Sequence, residues 1–467
     1  MAAFSKSLKP TSVLRANCYE IGHTWQPSCT RAILDILLGG VVESVKIYAP
    51  VYVLTGLARR RSIRYWLHRF VPELLQSAVF LGTNAGAFIG SFCLLNQLFE
   101  RFSYFTGLAS GALASQLAIL LERKPRRGLL AVYMFNVALE TLCNMAVARG
   151  LITPRKHIEV LLFSFTAAGY AYLYRCFGGL SGIFLQAVRF LLGTEEAGRP
   201  GDSRSLETEA KTPDARSLES KAKTPAVQSA KHSAWKQNLT VLRILRLLKA
   251  ALVQRHALCL HKHSCARYCL QGFVRMFGVG YAVQAAVRVL SSLQASIRSP
   301  RRLLSCIINR NNLSLAAFLG GFVGIFKFVS CFLRWLRDQD SELHALPAGF
   351  LAGLCMFFYP SWTISLYLTL KLGELLYMKG IEAGHLPCIT HADSLLFAVS
   401  TAVVLHAAVM EPHNVKPSYW TFLQRLTRKR FGMMNRRALD AYGTRASQLM
   451  PDFKPQLDPQ YCLMKHE

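Results

Sequence analysis

The chain has 467 residues, of which 52% are hydrophobic and only 17% are charged, and its formal net charge is +29. Soluble proteins carry about 25% charged residues, so this shortfall, with long apolar runs, excludes an ordinary water-soluble domain and points to the membrane class. The surplus Lys and Arg sit in loops between apolar segments without a recognition motif or aromatic-interleaved basic patch. That excludes nucleic acid as a partner and leaves the lipid bilayer, with basic loops facing anionic headgroups on the cytosolic side.

Residues 1–32 form an N-terminal segment containing Cys18, His23 and Cys29. It has no uninterrupted apolar core and no small-residue cleavage site, so it reads as no secretory signal; Glu20, two Pro and two Cys also spoil a mitochondrial presequence. Residues 33–193 form the first membrane repeat, with apolar segments near 33–57, 74–99, 104–121, 128–148 and 158–174, and an amphipathic extension at 180–192. A spanning helix needs about 20 apolar residues. Segment 104–121 is short, and the basic loops around Arg59–Arg69, Arg123–Arg127 and Arg155 leave open whether it spans or re-enters.

Residues 194–236 are rich in Ser, Thr, Pro, Lys and Glu, with a tandem 12-residue repeat beginning at Arg204 and Arg216. Such a composition buries too little apolar surface to offset its ordering entropy and predicts a disordered linker. Residues 237–269 follow as an amphipathic, Cys/His-rich segment in which Arg243, Arg246, Lys249 and Arg255 alternate with leucines, the pattern of an interfacial helix. The second membrane repeat, 270–411, has apolar segments near 272–293, 313–336, 345–359, 362–379 and 392–410. A tail at 412–467 follows. Its basic part, Lys416 to Arg437 with Trp420, Phe422 and Phe431, predicts a surface-lying helix that could tether another membrane. The C-terminal residues lack the tripeptide read by the peroxisomal matrix receptor, so an organelle address is expected within the membrane portion.

The two repeats share residues. At an offset of 234, Tyr133, Glu140, Gly150, His157, Leu161 and Phe163 match Tyr367, Glu374, Gly384, His391, Leu395 and Phe397; at 230, Ala87–Phe92 resembles Ala317–Phe322. The predicted fold is therefore all-α: a polytopic membrane protein of two homologous bundles, each of about four or five apolar helices, joined by a disordered linker. Gly82, Gly86, Gly90, Gly107 and Gly111, echoed by Gly320, Gly324, Gly349 and Gly353, supply small-residue faces for close helix packing or for a homo-oligomer. Ionisable residues inside apolar segments are Glu43, Lys46, Glu140, Lys327, Lys371 and Glu374. A charge at membrane depth costs roughly 2.5–3.5 kcal/mol unless it is paired or wetted, so these six are the candidate polar pathway, against the plainer reading of self-neutralising pairs.

The 13 cysteines form no disulfide-like framework and read as reduced. Cys259, His261, His263, Cys265 and Cys269 are the set to check for a metal, but their spacing is irregular and lacks a Cys-x-x-Cys pair, so no metal or cofactor is expected. No phosphate loop, nucleophile elbow or His-Glu-x-x-His motif is present, and no enzymatic activity is expected.

The stretches Asn17–Trp25, Val42–Pro50, Glu122–Leu130, Ser330–Trp335, Lys379–Gly384 and Pro417–Trp420 resemble the transmembrane protein 135 family. The resemblance covers nearly the whole chain outside the linker, whose 12-residue repeat is private to it. Its Cys/His run before the second repeat is sparser in cysteine than the family's. The resemblance implies a multi-pass protein of peroxisomal membranes, linked also to mitochondria. It further implies a role in mitochondrial fission and fusion through the dynamin-related fission GTPase, and in fatty-acid and cholesterol handling. Peroxisomal import or insertion factors are expected as further partners. The halves also look distantly similar to mitochondrial inner-membrane translocase channel subunits, which frames the alternative: a transporter or channel for a lipid, metabolite or peptide. The family brings no catalytic or ligand residues to carry over.

Overall fold

A computed structural model describes residues 13–58, 60–153, 156–176, 179–180, 182–197, 254–291 and 305–463. The tandem repeat from Arg204 and the amphipathic stretch through Arg243, Arg246 and Lys249 lie outside the described residues. The described chain is helical; no strand occurs in it, only a bridge between Leu14 and Phe102.

In the first repeat the helices are α1 (Cys29–Ala58), α2 (Phe70–Phe99), α3 (Thr106–Leu121), α4 (Lys124–Ala148), α5 (Ile158–Arg175) and the short α6 (Gly182–Leu192). In the second they are α7 (Cys265–Ser291), α8 (Asn312–Arg337), α9 (Ala345–Gly353), α10 (Trp362–Glu382) and α11 (Ala392–Met410), followed by α12 (Pro417–Leu426). Among the described residues, four helical segments are long and apolar enough to cross a bilayer: Phe70–Phe99, Lys124–Ala148, Ser305–Arg337 and Ala392–Met410. Segment 104–121 becomes the 16-residue α3, and α9 passes directly into a 3₁₀ turn at Leu354–Phe358. The fold is an all-α, polytopic membrane architecture. Leu75, Val79, Leu94 and Leu98 on α2, and Leu395 and Val399 on α11, stay exposed, as hydrocarbon-facing side chains would.

Chain punctuation repeats with the helices. Gly150 and Gly384 both take positive φ, at 70° and 74°, and His157 and His391 precede α5 and α11 in the left-handed region, at 67° and 62°. The offset of 234 therefore marks equivalent turns. The offset of 230 does not. Glu100 and Asp338, both left-handed, end α2 and α8 and lie 238 apart, as do Gly82/Gly320 and Gly86/Gly324. A Cβ on Gly82 would meet Val41 and Leu37 of α1, and one on Gly320 would meet Phe277 and Phe273 of α7. The 230 match was a coincidence of similar apolar residues, displaced by eight positions, about two helical turns.

The compact units do not follow the repeats. Unit 1 comprises Met1–Pro154 with Met378–Glu467, and unit 2 comprises Arg155–Tyr377. Each holds the first helices of one repeat and a fifth helix from the other. In unit 1, α11 packs on α3 and α4; in unit 2, α5 packs on α9. The exchanged helices dock through glycine: a Cβ on Gly111 would stand 2.9 Å from the Ala402 Cα, and one on Gly353 2.5 Å from the Ser164 Cα. Gly82 and Gly86 face α1, Gly320 and Gly324 face α7, Gly107 faces α11 and Gly349 faces α5, while Gly90 makes ordinary contact with Ile33. These small-residue faces are thus occupied within the chain.

Two stretches differ from expectation. The basic stretch from Lys416 to Arg437 does not lie on a surface: Tyr419, Leu423, Phe431 and Met434, with Leu439 and Tyr442 beyond them, share one core with Ile21, Phe88 and Phe92. Tyr442 donates its hydroxyl to the Phe102 carbonyl at 2.5 Å, and the Asn435 N–H bonds the Ile21 carbonyl at 2.9 Å. One of its arginines is absorbed as well: Arg436 is buried against the Trp420 and Phe431 rings. The linker also starts later than 194, because Thr194–Glu196 form a 3₁₀ turn and Glu196 is buried.

The glycine contacts predict a contrast within unit 2. Gly353→Ala forces Cβ into the Ser164 backbone and should destabilise the chain by about 1–3 kcal/mol. Gly373→Ala, where a Cβ meets nothing within 4 Å, should be neutral or up to about 1 kcal/mol stabilising. Thermal melting in detergent separates them; equal midpoints would refute the close-approach reading.

Candidate functional site

The six intramembrane ionisable residues do not converge on one place. Glu43 and Lys46, one turn apart on α1, pair at 2.6 Å, with the Arg428 guanidinium 3.8 Å from the same carboxylate. Glu140 on α4 receives the Lys416 ammonium at 3.3 Å. Lys371 and Glu374 pair at 2.5 Å on α10. The Lys327 ammonium on α8 stands 3.9 Å from the centre of the Tyr268 ring, and its stem fills the space over Gly272. The three carboxylates are each matched by a cation, and Lys327 lies against a ring. The repeat-related Glu140 and Glu374 solve the same problem differently, one with a lysine from the tail and the other with its own helix.

Convergence happens elsewhere. The Cys18, His23, Cys29 and Cys93 ligand atoms all lie within 4.8 Å of one another, and so do those of Cys259, His261, Cys265 and Cys331. In the first cluster, Asn17 caps the turn Cys18–Ile21 through a capping box with Glu20, which fixes Cys18, while Cys29 opens α1 and Cys93 lies on α2. The Cys18 and Cys29 sulfurs are 3.4 Å apart, and the His23 Nε2 lies 3.6 Å from Cys29. In the second, Cys265 opens α7 and Cys331 lies on α8. The Cys259 sulfur is 4.0 Å from both Cys265 and Cys331, and the His261 Nε2 is 3.6 Å from Cys331.

The thiols polarise one another. Hydrogen bonding from Cys93 outweighs burial and, with His23, holds Cys18 down to about 4. Burial opposes a charged imidazole at His261, yet the Cys259 and Cys265 sulfurs hold it up to about 10. Of the expected candidates, Cys259, His261 and Cys265 belong to the second cluster, and His263 and Cys269 stand outside it. Cys93 and Cys331 escaped sequence reading because each sits in an apolar helix far from its loop partners. The signal was present: Cys93/Cys331 and His23/His261 share the offset of 238 that relates α2 to α8.

A second buried constellation was also missed. Arg334 at the end of α8 makes a two-point contact with Glu196, at 2.7 and 3.1 Å, and donates to Asp340 at 3.0 Å. Arg175 from α5 contacts the same two carboxylates. Glu196→Ala would leave Arg334 buried without its main partner and should cost about 3–5 kcal/mol, read as a lowered melting midpoint. Burial raises the Asp340 carboxyl's affinity for a proton, but Arg175 and Arg334 hold it below the usual carboxylate range. Its contribution to stability is therefore present above the ordinary value of about 3.9 and lost as pH falls through its lower folded value. Asp340→Asn should flatten the acid limb of the stability profile; an unchanged limb would refute this.

Residues 15–147 match the family model described as the N-terminal cysteine-rich region of Transmembrane protein 135. That span contains the whole first cluster and two of the apolar helices able to cross a bilayer. No solved structure matches the chain. Over that span the chain is similar to the cysteine-rich region of Transmembrane protein 135, and its apolar helices give it a polytopic membrane architecture.

Proposed function

We propose that this protein is a non-enzymatic, multi-pass protein of the peroxisomal membrane, present also in mitochondrial membranes. It regulates the balance of mitochondrial fission and fusion and peroxisome-linked handling of fatty acids and cholesterol. The observation that carries this reading is the family match over residues 15–147, together with the family-like stretches in the second repeat. Its partners are the bilayer, the dynamin-related fission GTPase and peroxisomal insertion factors. The local pairing of Glu43, Glu140, Lys371 and Glu374 supports a regulatory protein over a conducting one, because a pathway needs groups free to exchange partners.

One feature favours transport instead. In unit 1 a cavity of about 480 Å³, lined by Tyr52, Glu73, Arg123 and Arg126, adjoins a cavity of about 250 Å³ lined by Phe80, Tyr133 and Phe397; Arg126 borders both. A charged chamber beside an apolar one suits an anionic amphiphile.

Two experiments separate these readings. Removing the full-length chain from cells and overexpressing it should move mitochondrial length in opposite directions, with the tagged chain on peroxisomal membranes. Unchanged length in both cases would sink the regulatory reading. In reconstituted liposomes, uptake of an anionic fatty acyl probe that disappears on Arg126→Gln would favour transport, and liposomes that stay tight would exclude it.

A further inference from the structure

We propose that this chain binds two structural zinc ions, one in each Cys₃His cluster, and that each ion fastens the loop before the first helix of a repeat to that repeat's second helix. Zinc takes thiolate at about 2.3 Å and imidazole at about 2.0–2.1 Å in a tetrahedron, which puts neighbouring ligand atoms roughly 3.3–3.8 Å apart. The separations are 3.4 and 3.6 Å in the first cluster and 3.6, 4.0 and 4.0 Å in the second. The remaining pairs also lie within 4.8 Å, so shifts of up to about an ångström close each set on a single ion. Disulfides account for less, because a disulfide would engage two sulfurs and leave a third thiol and an imidazole converging for no purpose.

The histidines carry the second mark of a metal site. In each, Nδ1 lies 2.7 Å from a backbone carbonyl, Gln26 for His23 and His263 for His261. A carbonyl can only accept, so Nδ1 keeps its proton, and Nε2, which faces the sulfurs, is the nitrogen that would give up its proton to bind a metal. That arrangement fixes tautomer and orientation in metal-ligating histidines. It occurs twice, although the loop spacings differ: Cys18, His23 and Cys29 against Cys259, His261 and Cys265. Different loops reach one donor set, while the helical ligands keep their places at the first residue of α1 and α7 and seven residues before the ends at Glu100 and Asp338. Packing alone asks for no such convergence.

Four protein ligands in a buried site leave no open position, which makes the ions structural rather than catalytic. Three thiolates, a neutral imidazole and Zn²⁺ carry a net charge of −1. In the second centre the Lys327 ammonium over Tyr268, whose ring stacks on His261 at 4.3 Å, lies near enough to offset it. That gives the lysine a role that the pathway reading did not.

The test is metal analysis of the full-length chain, purified in detergent without chelators. About two zinc ions per chain are expected, about one in Cys93→Ser and in Cys331→Ser, and none in the double variant. His23→Cys and His261→Cys, which keep four ligands, should retain zinc and guard against loss by misfolding. Cobalt(II) added to the zinc-stripped wild-type chain should give the intense visible bands of tetrahedral thiolate coordination. The proposal is overturned by wild-type protein that holds no zinc and takes up neither zinc nor cobalt, by copper or iron in place of zinc, or by zinc content that the double variant leaves unchanged.

Discussion

Helices inside a bilayer gain little by hiding apolar surface from lipid, so their association rests on close van der Waals contact between backbones. In this chain that contact is made where glycine meets a small residue: Gly111 against Ala402 in unit 1, and Gly349 and Gly353 against Ala168 and Ser164 in unit 2. Both contacts join a third helix to a fifth helix from the other repeat. The exchange of α5 and α11 depends on them, since a Cβ at Gly111 or Gly353 would lie within 3 Å of the neighbouring backbone. The same chemistry seats α2 on α1 and α8 on α7. Each unit needs these approaches before any polar group is considered.

Charge then has to be accommodated inside that packing. Where a carboxylate and a cation lie one turn apart, as in Glu43–Lys46 and Lys371–Glu374, the helix neutralises itself. Where they do not, distant segments are recruited. Lys416 of the tail reaches Glu140, Arg149 at the end of α4 pairs with Glu411, and Glu196 beyond α6 closes on Arg334. Breaking one side of such buried pairs leaves an isolated charge, which is why they fix chain path more than they add stability.

Much of this was legible in the sequence. Apolar runs located the helices, and Gly150/Gly384 with His157/His391 located equivalent turns, because left-handed backbone restricts the residues that can hold it. The displaced 230 match shows the limit: inside a lipid-facing helix Ala, Phe, Leu and Gly recur by composition, and only residues with a fixed geometric duty report true register. Cys93 and Cys331 had such a duty, but it was to loops more than sixty residues away, invisible to local spacing. The tail misled for a related reason. Its arginines suggested a solvated face, yet Arg436 donates to the Ala408 and Phe431 carbonyls and lies against two aromatic rings. Net charge cannot distinguish a cation bound to headgroups from one bound to carbonyls.

The two repeats also differ in what surrounds their Cys₃His clusters. In unit 1 the loop bearing Cys18 and His23 is held by the folded tail: Thr24 donates to the Met433 carbonyl at 2.6 Å, and the Asp458 N–H reaches the Tyr19 hydroxyl at 3.0 Å. In unit 2 the corresponding loop rests on a core of Cys259, Cys265, Tyr268 and Cys331, with Trp335 alongside. A group that small buries little apolar area, and at about 25 cal/mol per Å² it cannot hold a loop in place by packing alone. Three of its four buried members are the cluster's own sulfurs. Among the described residues the second loop is held by His256 against Asp338 and Trp335 as well as by its thiols, whereas in the first copy the tail does that work. A basic arm so used is a structural element of unit 1, which leaves a free tether little chain to work with.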